Sequence, residues 1–498
     1  MILSDQREII KALSAPETYG KSVKKVTIRH SHIAYIFFAG DYVYKLKRAV
    51  MYPGVDFSTP EKRKLACIAE MKRSTVYAPH LILGVKPIRR LKNGKIKIGG
   101  TKGEEIDSVI VEKRLPNKAI LNCLLPSDCF GKNEARALAE HLAELHSKAK
   151  VFHSKWGVEV IQHLILENES ILSCFPNVFD VTRLNVLTGQ CLEILRKNES
   201  LIRFRQKSGR VRKCHGDLLL SNIACHNGKF LFFSPIEYND SLDCIDTLYD
   251  LAFLTMDLEA KGLSHISNAL FNHYMAFMND LEGIALMNLY QAIRAMGRAA
   301  VCAKISVLST EKERISVLKE AQHYFSLACG FLVKTHPILM AFGGASCDRK
   351  SQIIEQIASL IKPAPGAITL SDYVVKKQII GLASCQKINE ITDTPAFEKV
   401  VYEVIKQQTY GALSAGETVV IDATFYEIEQ KNTVSCLAQE LNIPFVGFWI
   451  DDVSNGCGKN NGIPQLENKE MKWQVIDVKQ SKEEIEQLVI QILKENMI

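Results

Sequence analysis

The chain lacks several features that would place it in a specialised class. It has no window of about 20 apolar residues, the length that a helix needs to span a bilayer, and its first residues lack the apolar core of a signal peptide. Its 14 cysteines include no Cys-x-x-Cys pair, so neither a zinc ribbon nor a disulfide framework is indicated. We therefore expect a cytoplasmic protein with reduced thiols and no membrane partner.

Composition indicates an ordinary globular protein. The net charge of +7 is modest for 498 residues, and the lysines and arginines are spread along the chain rather than concentrated in one tail. Nucleic acid is therefore not an expected partner. The hydrophobic content of 47% is ample for buried cores, and the length predicts more than one domain.

The most informative segment is HGDLLLSN, which runs from His215 to Asn222 and sets Asp217 beside a His-Gly pair. Phosphoryl transfer needs a carboxylate that orients the attacking hydroxyl and a nearby oxygen that holds a metal ion on the phosphates. One short loop can supply both. The spacing alone also fits a helix cap and a turn. However, the turn Asn227-Gly228 and an apolar strand follow, which predicts a hairpin leaving the loop.

The order of loop, hairpin and acidic segment over residues 215–258 resembles the phosphotransferase half of the bifunctional aminoglycoside phosphotransferase/ATP-binding proteins. The resemblance implies a protein-kinase-like fold and ATP-dependent transfer to a hydroxyl of an unidentified acceptor. It makes Asp217 the catalytic base and Asn222 a magnesium ligand. Where the family usually carries a metal-binding Asp, this chain has Ser234. Glu237 matches the family's own Glu and is either a replacement metal ligand or a structural residue.

A kinase-like cleft also needs a cation that holds the phosphates of ATP. Lys45 and Lys47 share one face of a predicted strand because strand side chains alternate. The family's similar Tyr-Lys-Leu-Lys segment assigns phosphate binding to Lys45 first and Lys47 second. Glu70, on the helix that follows, is the expected ion-pair partner of such a lysine. The alternative is a solvated basic face on an edge strand. Residues 112–116 are expected to offer backbone groups to the adenine ring.

We predict an α+β and α/β multidomain chain. A kinase-like domain spans residues 1–334, with a small lobe to about 115 and a helical lobe from about 116, and a P-loop domain with a parallel sheet spans 335–498. The strands predicted for the small lobe are 33–38, 42–47, 81–87, 95–98 and 107–113. Those predicted for the P-loop domain are 338–342, 417–421 and 444–450. Asp246 and Asp250 are expected to stabilise the start of a helix.

The segment from Gly343 to Ser351 follows a predicted strand and opens a helix, as a phosphate-binding loop does. Arg349 stands at the second glycine of G-x4-G-K-[ST], where a side chain would obstruct the wrapping of backbone amides around phosphates. Lys350 and Ser351 remain as candidate nucleotide contacts. No arginine occurs in residues 451–465, where the lid of a nucleotide kinase would present them. This region resembles the ATP-binding half of the same family, and we expect its fold without competent catalysis.

Two hypotheses about function follow. The first is an ATP- and magnesium-dependent phosphotransferase that uses Asp217, Asn222 and Lys45. The second is a pseudokinase that senses nucleotide or serves as a scaffold for a protein partner. Ser234 and Arg349 favour the second, since each replaces a residue that the chemistry normally requires.

Overall fold

The computed structural model divides the chain into two compact units. The first comprises Met1–Phe130, Lys148–Trp156 and Ser208–Asp250, and the second comprises Gly131–Ser147, Gly157–Lys207 and Leu251–Ile498. The residues that the structure describes are 6–31, 33–52, 55–125, 130–236, 243–344, 348–382, 388, 394–451, 473–477 and 482–496. Within these ranges, no helix is both long enough and apolar enough to cross a membrane.

The first unit contains a six-stranded sheet in the order β1-β2-β3-β8-β6-β7, with all neighbours antiparallel. Its strands are β1 (Val26–His30), β2 (Ala34–Ala39), β3 (Tyr42–Lys47), β6 (Ile82–Arg90), β7 (Ile96–Ile98) and β8 (Glu104–Lys113). A short hairpin of β4 (Met51–Tyr52) and β5 (Val55–Asp56) lies between β3 and β6 in the chain. The five predicted strands are confirmed. We missed β1, an edge strand in which no residue is fully buried.

Two helices accompany this sheet, α1 (Arg7–Ser14) and α2 (Pro60–Tyr77). Helix α2 begins with two features that favour a helix start, because Thr59 accepts the Lys62 N–H through its hydroxyl and Pro60 occupies the first turn. Arg63 of α2 forms a buried ion pair with Asp107 of β8, at 2.8 Å. This pair fixes the first half of α2 against the sheet.

The rest of the first unit holds short elements around the His215–Asn222 segment. They are α3 (Leu121–Leu124), β9 (Val211–Lys213), β10 (Ile223–His226), β11 (Lys229–Phe232) and β12 (Cys244–Asp246). Strands β10 and β11 form the predicted hairpin, and both turn residues have positive φ, 52° at Asn227 and 70° at Gly228. That geometry suits an Asn-Gly turn between twisted antiparallel strands.

Helices dominate the chain from residue 132 to residue 331. They are α4 (Lys132–Lys148), α5 (Val158–Ser173), α6 (Val181–Lys197), α7 (Glu199–Lys207), α8 (Thr247–Ala260), α9 (Ser264–Met278), α10 (Met287–Leu308) and α11 (Glu311–Phe331). A buried ion pair between Arg205 and Asp280, at 2.6 Å, joins the end of α7 to the segment after α9. The predicted helical character of this region is confirmed.

The second unit also contains a five-stranded parallel sheet in the order β14-β15-β13-β16-β17. Its strands are β13 (Leu339–Gly343), β14 (Ile368–Ser371), β15 (Val419–Asp422), β16 (Phe445–Asp451) and β17 (Trp473–Asp477). The helices of this region are α12 (Asp348–Leu360), α13 (Asp372–Ile379), α14 (Pro395–Ser414), α15 (Ile428–Glu440) and α16 (Lys482–Asn496). The predicted parallel sheet is confirmed, although β14 and β17 were not predicted.

Edge strand β14 is capped by two asparagines of helix α9. The Asn272 side chain accepts the Thr369 N–H at 2.9 Å and donates to the Ala367 carbonyl at 3.1 Å. Asn268 donates to the Ala367 carbonyl at 3.1 Å and to the Pro365 carbonyl at 2.9 Å. Because an edge strand leaves backbone groups without a neighbouring strand, these amides supply part of the missing hydrogen bonding.

Replacing Asn272 by Ala should lower the free energy of unfolding of the second unit by about 1–3 kcal/mol, the usual cost of leaving a buried polar group unsatisfied. Urea denaturation followed by tryptophan fluorescence measures this loss, since Trp449 and Trp473 lie in the same sheet. Asn133→Ala, at an exposed position in α4, is the matched control. Equal denaturation midpoints for the two variants would contradict the capping role of Asn272.

Candidate active site

The backbone of the His215–Asn222 segment is held by a carboxylate from helix α8. Asp250 accepts the N–H groups of His215 and Gly216, each at 2.9 Å. Asp250 lies in the first turn of its helix, where it was expected to stabilise the helix start, but its carboxylate reaches back to this loop. Asp246 does behave as predicted and accepts the Leu248 N–H at 2.9 Å.

His215 fixes the loop through contacts with backbone groups. Its Nε2 lies 3.2 Å from the Phe233 carbonyl, and its Nδ1 accepts the Asp217 N–H at 3.3 Å. Together these contacts fit a neutral imidazole protonated at Nε2. The ring therefore links the segment before Asp217 to the end of strand β11.

Asp217 and Asn222 are brought together at the two ends of the loop. The Asn222 amide donates to the Asp217 carboxylate at 2.9 Å and to the Asp217 carbonyl at 3.0 Å. This amide therefore sets the orientation of the carboxylate. The amide oxygen of Asn222 is the atom that could bind a metal ion.

Lys45 and Lys47 both lie within the sheet of the first unit and are nearly inaccessible to solvent, at 8% and 2% exposure. Strand β3 lies between β2 and β8, so the alternative of a solvated face on an edge strand is wrong. Lys45 pairs with Glu70 at 3.1 Å and with Glu112 at 2.8 Å. Lys47 pairs with Glu70 at 2.6 Å. Glu70 thus shares its carboxylate between the two lysines.

The two carboxylates of this cluster differ in how well they are held. Burial alone would raise the pKa of Glu70, but Lys47 and Lys45 outweigh it and lower the pKa to about 2. Burial raises the pKa of Glu112 above its ordinary value, and Lys45 offsets only part of that rise. Burial acts to lower the pKa of Lys45, yet Glu112 and Glu70 together raise it above the ordinary value. Glu70 is therefore the firmly ionised anchor, and Glu112 is the more easily displaced partner.

Ser234 follows strand β11 and faces this cluster. Lys45 donates to the Ser234 hydroxyl at 3.1 Å. The backbone of Ser234 has a positive φ of 60°, a conformation that few residues other than Gly, Asn and Asp adopt readily. Glu237, the predicted replacement ligand, lies outside the described residues, so its role stays a prediction.

Two cavities flank the Lys45 side chain. One, of about 280 Å³, is lined by Glu112, Lys113, Arg114 and Leu115, the segment predicted to face adenine. The other, of about 350 Å³, is lined by Asp217, Lys47 and Glu70. Lys45, Asn222 and Ser234 border both cavities. The candidate residues for phosphate binding and for proton transfer therefore line two adjoining cavities.

The described residues do not form a complete magnesium site. Mg²⁺ held against a triphosphate is normally bound by at least one carboxylate. Here the position expected to supply it carries Ser234, whose hydroxyl already accepts a hydrogen bond from the Lys45 ammonium group. Asn222 offers only a neutral amide oxygen.

The P-loop region places its lysine in an internal ion pair. Lys350 is 2% exposed and pairs with Asp422, at the end of β15, at 3.0 Å. It also donates to the carbonyls of Gly344 at 3.2 Å and Ala423 at 3.0 Å. Arg349 and Ser351 lie in the first turn of α12 and are half-buried. Residues 345–347 of the loop, and residues 452–465 of the predicted lid, lie outside the described residues.

Two further residues shape this region. A Cβ on Gly344, whose φ is 114°, would lie 2.3 Å from the Ile450 carbonyl oxygen, so the position requires glycine. Asp372, at the start of α13, accepts the Thr424 N–H at 3.1 Å. Burial raises the pKa of Asp372 above its ordinary value. The strand ends therefore bring Asp372, Asp422 and Lys350 into one polar group.

Residues 339–461 match a family model described as an AAA domain. Over 438 residues, the chain is 24% identical to the uncharacterized protein Rv2004c of Mycobacterium tuberculosis and to the uncharacterized protein Mb2027c of Mycobacterium bovis. Each alignment covers 85% of this chain and 83% of the relative.

Several solved structures are similar to part of the chain. An ethanolamine kinase of Plasmodium vivax has a TM-score of 0.38 and 14% identity, over 62% of this chain and 82% of that chain. A choline/ethanolamine kinase family protein from Mesorhizobium loti has a TM-score of 0.37 and 13% identity, over 65% of this chain and 98% of that chain. The ADP-bound aminoglycoside phosphotransferase APH(2'')-Ib has a TM-score of 0.34 and 12% identity, over 65% of this chain and 99% of that chain.

The chain has two parts, a kinase-like region built on the antiparallel sheet and the helices that follow it, and a P-loop α/β domain built on the parallel sheet. The antiparallel sheet with its lysine–glutamate cluster belongs to the first part, and the parallel sheet, four of whose five strands lie within the AAA match, belongs to the second. The predicted fold class is confirmed. So is the predicted resemblance to proteins that join an aminoglycoside phosphotransferase-like region to an ATP-binding domain.

Replacing Glu70 by Gln should lower the free energy of unfolding at pH 7 by about 3–5 kcal/mol, because it removes the carboxylate shared by two buried lysines. The folded-state pKa of about 2 lies below the ordinary 4.5. The contribution of Glu70 is therefore fully present above its ordinary pKa and is lost as the pH falls towards the folded value.

Glu112→Gln should cost less at pH 7, because burial already disfavours its charged form. Guanidinium denaturation at pH 7 and pH 3 distinguishes the two variants. The deficit of Glu70→Gln relative to the unmodified protein should shrink at pH 3. Equal losses for both variants at pH 7 would refute the different strengths assigned to the two carboxylates.

Proposed function

We propose that the chain is an ATP-dependent phosphotransferase that transfers a phosphoryl group to a hydroxyl of an acceptor molecule. The observation that carries the proposal is the placement of Lys45, Asp217 and Asn222 around adjoining cavities. A phosphate-binding cation, a candidate base and a neutral oxygen ligand are the groups that this chemistry requires. The two-part fold supports the proposal.

In the proposed reaction, the acceptor hydroxyl oxygen bonds to the γ-phosphorus of ATP while the bond from that phosphorus to the β–γ bridging oxygen breaks. The hydroxyl proton passes to the Asp217 carboxylate, whose orientation Asn222 sets. ADP leaves with the bridging oxygen. Lys45 binds the phosphates, and in doing so exchanges its contact with Glu112 for one with the ligand. Mg²⁺, when bound, would offset the charge of the triphosphate, with Asn222 and Glu237 as its proposed ligands.

Because the proposal specifies only that the acceptor carries a hydroxyl group, the assay measures ATP hydrolysis and phosphoryl transfer from ATP to a panel of hydroxyl compounds. Asp217→Asn should lower turnover by about 10²–10⁴-fold, the usual contribution of a general base. It should leave ATP binding, measured by calorimetry, nearly unchanged. Asp41→Asn, at an exposed position before β3, is the control. Retention of full turnover by Asp217→Asn would refute the assignment of the base.

The missing carboxylate can be tested by restoring it. Ser234→Asp should increase both turnover and the dependence of turnover on Mg²⁺, since Asp tolerates the positive φ at this position and supplies an anionic ligand. Ser234→Ala loses the hydroxyl contact with Lys45 without gaining a charge and is the matched control. If Mg²⁺ dependence is the same in both variants, position 234 does not serve the metal site.

A second candidate function is a pseudokinase that binds nucleotide or a protein partner without catalysis. Two ion pairs favour it. Lys45 is neutralised by Glu70 and Glu112, and Lys350 is neutralised by Asp422. Binding of ATP by calorimetry, with no turnover on any acceptor in the unmodified protein or in Ser234→Asp, would support this function over the first.

A further inference from the structure

Helix α2 carries more polar contacts than the anchoring of Lys45 requires. Glu70, Arg73 and Tyr77 recur at spacings of three and four residues and therefore lie on one face of the helix. Glu70 contacts the lysines of β3. Arg73 and Tyr77 instead contact residues 213–215, which lead into the His215–Asn222 loop, and Arg73 also contacts Asp243, which is bonded to Cys214. One helix face thus reaches both halves of the candidate active site.

Arg73 contacts both Asp243 and Cys214. Its guanidinium forms an ion pair with the buried carboxylate of Asp243 and donates to the Cys214 carbonyl at 2.9 Å. Cys214 is joined to Asp243 directly, because the Cys214 N–H donates to the Asp243 carbonyl at 2.6 Å. Lys213 also pairs with Asp243, at 3.2 Å. The residue immediately before His215 is therefore fixed through both its N–H and its carbonyl.

Tyr77 reinforces this attachment. Its hydroxyl donates to the Lys213 carbonyl at 3.1 Å. Its ring meets the His215 ring edge-on, with centroids 5.2 Å apart. His215 in turn contacts the Phe233 carbonyl and the Asp217 N–H. The position of the Tyr77 ring therefore affects the positions of both Asp217 and Phe233.

The contacts form a closed circuit. It runs from Lys45 to Glu70, along α2 to Arg73 and Cys214, through His215 to Phe233, and back to Lys45 through Ser234. We infer that Arg73 is a positioning residue that sets the catalytic loop, and with it Asp217, relative to the phosphate-binding Lys45. This inference rests on the proposed function. Arg73 touches neither cavity, so it would act only through the residues that it holds.

The test compares Arg73→Ala and Tyr77→Phe with Lys72→Ala, which removes a cation from an exposed position on the same turn of α2. Amide hydrogen exchange is measured by mass spectrometry on full-length protein, for peptides that cover residues 214–222 and for strand β8. Arg73→Ala should speed exchange in the loop by about tenfold, with β8 little changed. Tyr77→Phe should give a smaller change in the same peptide, and Lys72→Ala should give none.

Kinetics supply the second readout. Arg73→Ala should lower kcat by about 10²-fold while KM for ATP changes little, because misplacement of the reacting groups affects the transition state more than binding. Loop exchange equal to that of Lys72→Ala, or faster exchange throughout β8 as well, would overturn the inference. If the unmodified protein transfers no phosphoryl group, the proposed function fails, and the exchange result alone then decides whether Arg73 sets the loop.

Discussion

The shared carboxylate of Glu70 is the interaction on which the candidate site depends. It lies between two lysines that are almost completely buried, and each would be very costly to bury without a carboxylate partner. Because Glu70 belongs to a helix and the lysines to an internal strand, the ion pairs fix the helix against the sheet. Arg63 and Asp107 fix the same helix nearer to its start. Whatever else α2 contacts is therefore positioned relative to Lys45.

The sequence was informative where the chemistry is local. Asp217 and Asn222 are five residues apart, so their pairing could be predicted from one short segment, and the alternation of side chains in a strand placed Lys45 and Lys47 on one face. The partners of Glu112 and Asp250 could not be predicted in this way. Periodicity indicates that such a carboxylate faces inward, but not which distant residue it meets, and Asp250 follows its backbone partners by more than 30 residues. Edge strands β1 and β14 were missed because short edge strands carry little apolar pattern.

The two lysines that could bind nucleotide phosphates face the same electrostatic constraint in different surroundings. Lys45 is balanced by Glu70 and Glu112 but borders two cavities, so a ligand can reach it. Lys350 is balanced by Asp422 and bonded to two backbone carbonyls. These contacts link Lys350 to the ends of β13 and β15, so the lysine has a structural role that is independent of nucleotide. Retention of Lys350 in the sequence is therefore weaker evidence for nucleotide binding than retention of Lys45.

The charges around Lys45 set the condition that any phosphate ligand must meet. With Lys45, Lys47, Glu70 and Glu112 all ionised, these four side chains carry no net charge, so the cluster itself does not favour a triphosphate until one carboxylate is neutralised or moves away. Glu112 is the group suited to this, because burial raises its pKa and it forms an ion pair with Lys45, whereas Glu70 holds both lysines. A triphosphate that displaces Glu112 forms an ion pair with the Lys45 ammonium group. The displaced Glu112 carboxylate is then left without this partner, beside the cavity lined by residues 113–115. In the proposed function, nucleotide affinity therefore depends on the exchange at Glu112 as well as on the carboxylate that Ser234 replaces.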